Sequence, residues 1–390
     1  MTLQQNTDRI QTTHIGSLPR PHDLLDLMKA KFAGQPVDQA ALDKTINAAV
    51  MNCVRKQVEC GLDIVTDGEF SKPGFFTYIQ ERLEGYEPRP GQKLLLFQKE
   101  TAAFPEYYAQ YFKEAMMGGT IVPIVPVVCT GPIKYRGERA VQRDIDNVKA
   151  AAKAAGIDND HVFLPATAPS GVGINEYYKS DEEYFHAVAA ALNNEYRAII
   201  ASGILLQVDD PFLPDIFMEP DLDQAQMKRR AEIYVEATNA ALRGIPAERV
   251  RFHTCYGVNE GPRIFEAALA DIIHYVLKIN AGSYSFEGAN PRHEHEYHLF
   301  ETVKISDGKV LCPGVITHAS NIVEHPEIIA ERILRFANLV GRENVMAGAD
   351  CGFSSQALYK TEVHPTVVWE KFKTLRQGAD LASGKLWGKH

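Results

Sequence analysis

Short apolar runs alternate with long amphipathic ones along nearly all of the chain, and most apolar runs close on one or two polar residues. This rhythm restricts the possible architectures. A strand buried on both faces needs a helix to carry the chain back, and repeated β-α units of that kind assemble around a parallel sheet. Candidate strands are T-T-H-I-G-S (12–17), D-I-V-T-D-G-E (63–69), I-V-P-I-V-P-V-V (121–128), H-V-F-L-P-A-T (161–167), I-L-L-Q-V-D-D (204–210), V-R-F-H-T-C-Y (250–256), G-S-Y-S-F-E (282–287), K-V-L-C-P-G-V-I (309–316) and N-V-M-A-G-A-D-C (344–351). Helical patterns lie between them at 38–60, 139–155, 181–202, 221–243, 262–278 and 326–340. Nine candidates for the eight places of a (β/α)8 TIM barrel imply that one is short, accessory or misread. A single barrel domain over residues 1–390 is the expectation. Residues 70–118, rich in Tyr, Phe, Gly and Pro, break the alternation and read as an insertion after the second strand, a rim or lid.

Charge and apolar content narrow the partners. Forty-one basic against fifty acidic residues give a formal charge of -9, and no cluster of Lys and Arg interleaves with aromatics, so nucleic acid is a poor partner. The opening M-T-L-Q-Q-N-T-D-R-I is polar and lacks the order of a signal peptide. The longest apolar run, 121–129, is under half a membrane span and contains Pro123 and Pro126. A cytoplasmic protein without a membrane partner is expected. Six cysteines without regular spacing do not make a disulfide framework. Cys53, Cys60 and Cys129 read as small buried hydrophobes.

Barrels gather their chemistry at the C-terminal ends of strands. That rule selects His14, Ser17, Asp67, Glu69, Asp209, Asp210, His253, Cys255, Glu287, His318 and Cys351. Such residues also serve as caps and turn formers. Within V-R-F-H-T-C-Y-G an extended chain projects His253 and Cys255 to one side, which is half of a metal site. Cys351 and Glu287, each at another strand end, complete a His, Cys, Cys, Glu set suited to zinc. Two thiolates reduce the Lewis acidity of such an ion, which favours holding a third sulfur and activating an incoming thiol. The run His293, Glu294, His295, Glu296, Tyr297, His298 is no metalloprotease motif, because Tyr297 stands where a second ligand His belongs. No P-loop, G-x-G-x-x-G or G-x-S-x-G is present.

From T-H-I-G-S-L-P-R near residue 13 to D-C-G ending at residue 352, the chain resembles the catalytic barrel of cobalamin-independent methionine synthase and its short single-barrel relatives. H-T-C, the F-E-G glutamate and D-C-G occur in that family's order. The resemblance implies His253, Cys255, Glu287 and Cys351 as zinc ligands. It implies Ser17, Glu69 and Asp209 as the grip on an amino-acid thiol, homocysteine, and Asp215 as a contact to the donor. It further implies methyl transfer from a reduced folate, with His318 as the proton-donating group. In two places the chain departs from that pattern: Tyr135 stands near G-P-I-K-Y where the family stacks a Trp, and His318 falls about one position early. The same stretches, with F-E-G-A-N-P-R-H and P-G-V-I-T-H, also resemble epoxyalkane:coenzyme M transferase, whose sulfonate would need cations; Arg20, Lys72 and Arg292 are the candidates. The partners implied are a small-molecule thiol and an alkyl donor; the sequence leaves the oligomeric state open.

Overall fold

The structure, a computed structural model, describes residues 6–75, 77–92, 96–114, 119–122, 124–257 and 260–388. Among these, nine strands are present: β1 (Leu83–Pro88), β2 (Val127–Tyr135), β3 (Phe163–Thr167), β4 (Ile174–Asn175), β5 (Leu205–Asp209), β6 (Val250–His253), β7 (Ser283–Phe286), β8 (Val310–Ile316) and β9 (Gly348–Ala349). Six form one parallel sheet in the order β3-β5-β6-β7-β8-β9. Every residue of β3, β5, β6, β7 and β8 is buried, as a sheet covered on both faces requires.

Parallel hydrogen bonding runs on from both edges of this curled sheet through two short extended segments. Thr13 N donates to Ala347 O (2.9 Å) beyond β9, Ile64 N donates to Thr12 O (3.1 Å), and Phe163 N on β3 donates to Val65 O (3.0 Å). The first two expected strands are thus represented by single bridges, Thr12 to Ala347 and Val65 to Val162.

The accessory candidate is 121–128. Only Val127 and Val128 of it are strand, in β2, which runs antiparallel to β1 and parallel to β4 in a separate three-stranded sheet. Pro126 has no N–H to give a ladder, which bars this run from a central place. β1 itself comes from the 70–118 stretch, which also holds the helices Gln98–Ala103 and Pro105–Glu114. The parts of the lid expectation that fall on 93–95 and 115–118 lie outside the described residues.

Of the six expected helices, Gln39–Glu59, Glu138–Ala154, Asp181–Ala201, Gln224–Ala241 and Pro326–Val340 form nearly as read. The pattern at 262–278 shrinks to Leu269–Val276, because Arg263 takes a left-handed φ of 58° and its neighbours serve the site. Helices His22–Phe32 and Pro365–Trp387 are additional.

Inside the curl, Ile64, Phe163, Leu205, Val310, Cys312 and Met346 form a small apolar cluster. Arg251 crosses it fully buried, its guanidinium 4.3 Å from the Phe163 ring centroid, and donates to Gln207 Oε1, Thr13 Oγ1 (3.0 Å) and His14 O (2.8 Å). No helix of the described residues is long and apolar enough to cross a membrane.

Candidate thiol and metal site

Parallel register sets the site. Thr167 pairs with Asp209, Asp209 with His253 and His253 with Ser285, so the ends of β3, β5, β6 and β7 lie in one row. Ser285 Oγ holds His253 Nδ1 at 3.2 Å, while His253 Nε2 is buried without a hydrogen-bond partner. Burial, then the charge of Arg251, lowers the imidazole pKa to about 3, so the ring is neutral and offers a lone pair. β6 ends at His253, so Cys255 lies just past the strand rather than on it. Its Sγ nevertheless sits 3.2 Å from Cys351 Sγ, both cysteines being free thiols, and the ligand atoms of His253, Cys255 and Cys351 all lie within 4.8 Å of one another. The shared hydrogen of this sulfur pair, and then burial, raise the Cys255 pKa well above that of an ordinary thiol.

Glu287 stands apart from that trio. Arg263 Nη2 donates to both its oxygens at 2.9 Å, Asn290 Nδ2 to one at 3.0 Å and Tyr256 N to the other at 3.2 Å. Burial alone would raise this carboxyl; Arg263 overrides it and holds the pKa at about 2. Glu287 groups instead with His318 and Asp350. Neither ring nitrogen of His318 makes a well-formed hydrogen bond, and burial lowers its pKa to about 4.

The trio borders a cavity of about 190 Å³. Ser17, Glu69, Asp209 and Asp215 are walls of the same cavity, and Ile15, Phe75, Leu96, Phe97, Ile124, Phe212, Tyr256 and Leu358 supply apolar surface. Glu287 and His318 are not among the lining residues. Glu69 adopts φ 60° next to Gly68 at 71°, a turn pinned by Asp67 Oδ1 accepting from Glu69 N (2.9 Å). Asp209 is oriented by Gln207, whose Nε2 donates to it at 2.7 Å while its Oε1 receives Arg251. Burial and then the Glu69 charge raise the Asp209 pKa well above the carboxylate range.

Other candidates resolve as scaffold. His14 packs against Phe372 and Phe163 and bonds Gln57 (2.8 Å), away from the cavity. Asp210 caps the short helix Phe212–Met218 by accepting from Leu213 N and Phe212 N, and takes Ser170 Oγ at 2.7 Å. The sulfonate candidates are otherwise engaged. Arg20 donates to the carbonyls of Glu69, Lys72, Ser354 and Gln356, Lys72 to Pro165 O (2.6 Å) beside Glu69, and Arg292 Nε to Arg263 O; none lines the cavity. The epoxide reading therefore loses its anion site.

The model of the family described as cobalamin-independent synthase, catalytic domain, matches residues 10–93 and 128–367. The chain belongs to that family. Among curated relatives, a methionine synthase of Sulfolobus acidocaldarius is 26% identical over 349 residues, covering 88% of this chain and 85% of the relative. One of Saccharolobus solfataricus is 25% identical, covering 88% of each. A B12-independent methionine synthase from Shewanella superposes with a TM-score of 0.73 at 19% identity over 97% of this chain and 99% of its own, and shares the fold.

Sequence reasoning missed Arg263, Tyr256, Asp350 and the role of His293. The His293 ring stacks on Tyr256 at 4.1 Å and joins Glu266 (2.9 Å) and Glu296 (2.8 Å), which, against burial, raise its pKa to about 9. The one available signal was an Arg, two acids and a His on consecutive strand-end loops, but loop residues give no periodicity from which to read a face.

Proposed function

We propose that the chain transfers a methyl group to the sulfur of homocysteine with the help of zinc. In this reading a single (β/α)8 barrel domain spans residues 1–390, residues 70–118 form a rim inserted after its second strand, and the enzyme works in the cytoplasm in methionine biosynthesis. The observation that carries the proposal is the meeting of the His253, Cys255 and Cys351 trio with Ser17, Glu69 and Asp209 around one cavity. A soft donor set with an unpartnered buried Nε2 fits zinc.

Zinc held by His253, Cys255 and Cys351 would supply acidity to an incoming thiol, keeping it a thiolate near neutral pH. Glu287, expected as a fourth ligand, is tied to Arg263 and is proposed as a neighbour that leaves a coordination place open for substrate. The residues of the chain do the rest. Glu69 and Asp209 hold the amino group and Ser17 the carboxylate end, which fixes the sulfur over the trio and converts a collision into an oriented attack. The apolar walls exclude water from the nucleophile. His318, expected as the general acid, is placed beside Glu287 and off the cavity wall.

Metal analysis and a homocysteine titration that records proton release test the proposal. The wild-type protein should bind zinc and release a proton as the thiol binds; Cys255→Ser and Cys351→Ser should each lose most of the metal, and Glu287→Gln should retain it. Full zinc in both Cys variants would overturn the ligand assignment.

A further inference from the structure

Behind the two acids that face the thiol's amino group lies a buried cation. Lys72 is not among the lining residues of the cavity, yet its Nζ stands 3.6 Å from Glu69 Oε2. The same Nζ donates to Pro165 O on β3 (2.6 Å) and lies 4.3 Å from the centroid of the Tyr78 ring. Each of these neighbours is itself fixed. Tyr78 Oη donates to Glu195 Oε1 and accepts from Thr167 N at the end of β3, both at 3.1 Å, and the Arg82 guanidinium lies 4.7 Å from the same ring. Arg20 holds the backbone on either side of the contact, donating to Glu69 O (3.0 Å) and to Lys72 O (2.8 Å). The other carboxylate oxygen, Glu69 Oε1, points toward the turn before Ser17, where a Cβ on Gly16 would lie 3.1 Å from it.

We infer that Lys72 is a positioning residue for the amino group of the thiol substrate: from behind the wall it draws Glu69 Oε2 to itself and leaves Oε1, with Asp209, to the ammonium group. The inference rests on the thiol-methylation reading above. Burial raises the Asp209 carboxyl, the Glu69 charge adds to that, and Lys72 opposes both. Without Lys72 the two like charges would repel each other across a dry cleft. Glu69, which has no other ion-pair partner among the described residues, would then turn from Asp209.

The same contact bears on specificity. Two carboxylates beside one buried cation leave one negative charge without a partner, and an arriving ammonium group supplies it. A thiol of the same length without that group would leave the charge stranded, at the cost that any unpaired buried charge carries. A lysine that only stapled the loop of Glu69 to β3 through Pro165 O would make no such distinction, because losing it would loosen the cavity for both thiols alike.

The test uses the full chain loaded with zinc. Homocysteine and 4-mercaptobutanoate, which keeps the thiol, the carboxylate and the chain length but lacks the amino group, are titrated by calorimetry. The proteins compared are wild type, Lys72→Gln, Lys72→Met and Lys72→Arg, with zinc content and circular dichroism recorded for each. Wild type should prefer homocysteine at least about tenfold, the size of a hydrogen bond to a charged group. Lys72→Gln keeps an N–H donor and drops the charge; it and Lys72→Met should each lose about tenfold in homocysteine affinity. Their affinity for 4-mercaptobutanoate should stay within about threefold of wild type, with zinc retained, since no charged contact to that thiol is lost. Lys72→Arg restores the charge and should recover most of the homocysteine affinity. Should Lys72→Met fail to fold, the Gln and Arg variants decide. Equal losses for the two thiols would make Lys72 a staple of its loop, overturning the inference and leaving the grip of Glu69 and Asp209 standing. No preference for homocysteine in wild type would remove that grip itself, and this role of Lys72 with it.

Discussion

Replacing Arg263 by Met asks whether Glu287 is held by that guanidinium or belongs on a metal. The two side chains are 4% and 0% exposed, and Nη2 meets both carboxylate oxygens at 2.9 Å. Removing one partner of such a buried pair strands the other charge, at a cost of about 3–5 kcal/mol. With an unfolding entropy of about 2.1 cal/mol/K per residue, a 390-residue chain carries about 0.8 kcal/mol/K, so the melting temperature should drop by about 4–6 °C. Calorimetry in the presence of a chelator keeps bound metal out of the comparison. The double variant Arg263→Met/Glu287→Gln removes both charges and should recover at least about 2 kcal/mol of the loss, as a double-mutant cycle would measure. A melting temperature unchanged in Arg263→Met would refute the reasoning, because Glu287 would then have another source of compensation.

Other expectations follow from the same contacts. Asp209→Asn should weaken homocysteine at least tenfold and leave 2-mercaptoethanesulfonate, which has no amino group, nearly unchanged in a thiol titration; equal losses would remove the amino-group assignment. Gly16→Ala, at φ 138° with a new Cβ 2.6 Å from Pro165 Cγ and 3.1 Å from Glu69 Oε1, should cost more than about 1 kcal/mol in urea unfolding and weaken homocysteine, since Ser17 and Glu69 both shift. His14 has a folded pKa lowered to about 3 by burial, against 6.5 unfolded. The unfolded chain therefore binds the extra proton, and this contribution to stability is intact above pH 6.5 and lost as pH falls toward 3. Between pH 6.5 and 4.5 the loss is about 2 kcal/mol, and urea unfolding of His14→Gln should lack that part of the slope; parallel profiles for the two proteins would contradict it.

Where a side chain serves the sheet, the sequence was legible. The strands β3, β5, β6, β7 and β8 fall on continuous apolar runs because both their faces are covered, and the helices between them show one wet face. The helix Pro365–Trp387 escaped notice because its buried stripe includes Lys371, Gly378 and Ser383, which dilute the apolar period. Lys371 is tolerated there by its pairing with Glu324 (2.8 Å), a tertiary contact with no local sign. The first two strands are represented by single bridges, at Thr12 and Val65, and each is followed within four residues by a glycine of positive φ, Gly16 and Gly68.

At the candidate site the sequence named the residues, while their spatial grouping had no sign in it. His253, Cys255, Cys351 and Glu287 were read as one ligand set; in the structure the first three meet and Glu287 meets His318 and Asp350, an arrangement with a cause in the motifs themselves. Asp350, next to Cys351, accepts from Gly288 N and Ala289 N at 2.8 Å each, so D-C-G is bolted to the backbone just after Glu287. Gly314 is needed for Asp350 to lie there, since a Cβ on it would come 2.6 Å from Asp350 N. The bolt fixes Cys351 beside Cys255 and turns Glu287 toward Arg263, whose left-handed backbone breaks the helix that periodicity had promised. F-E-G and D-C-G therefore belong together for a mechanical reason as well as a chemical one: each motif supplies a reactive side chain and the contact that aims the other.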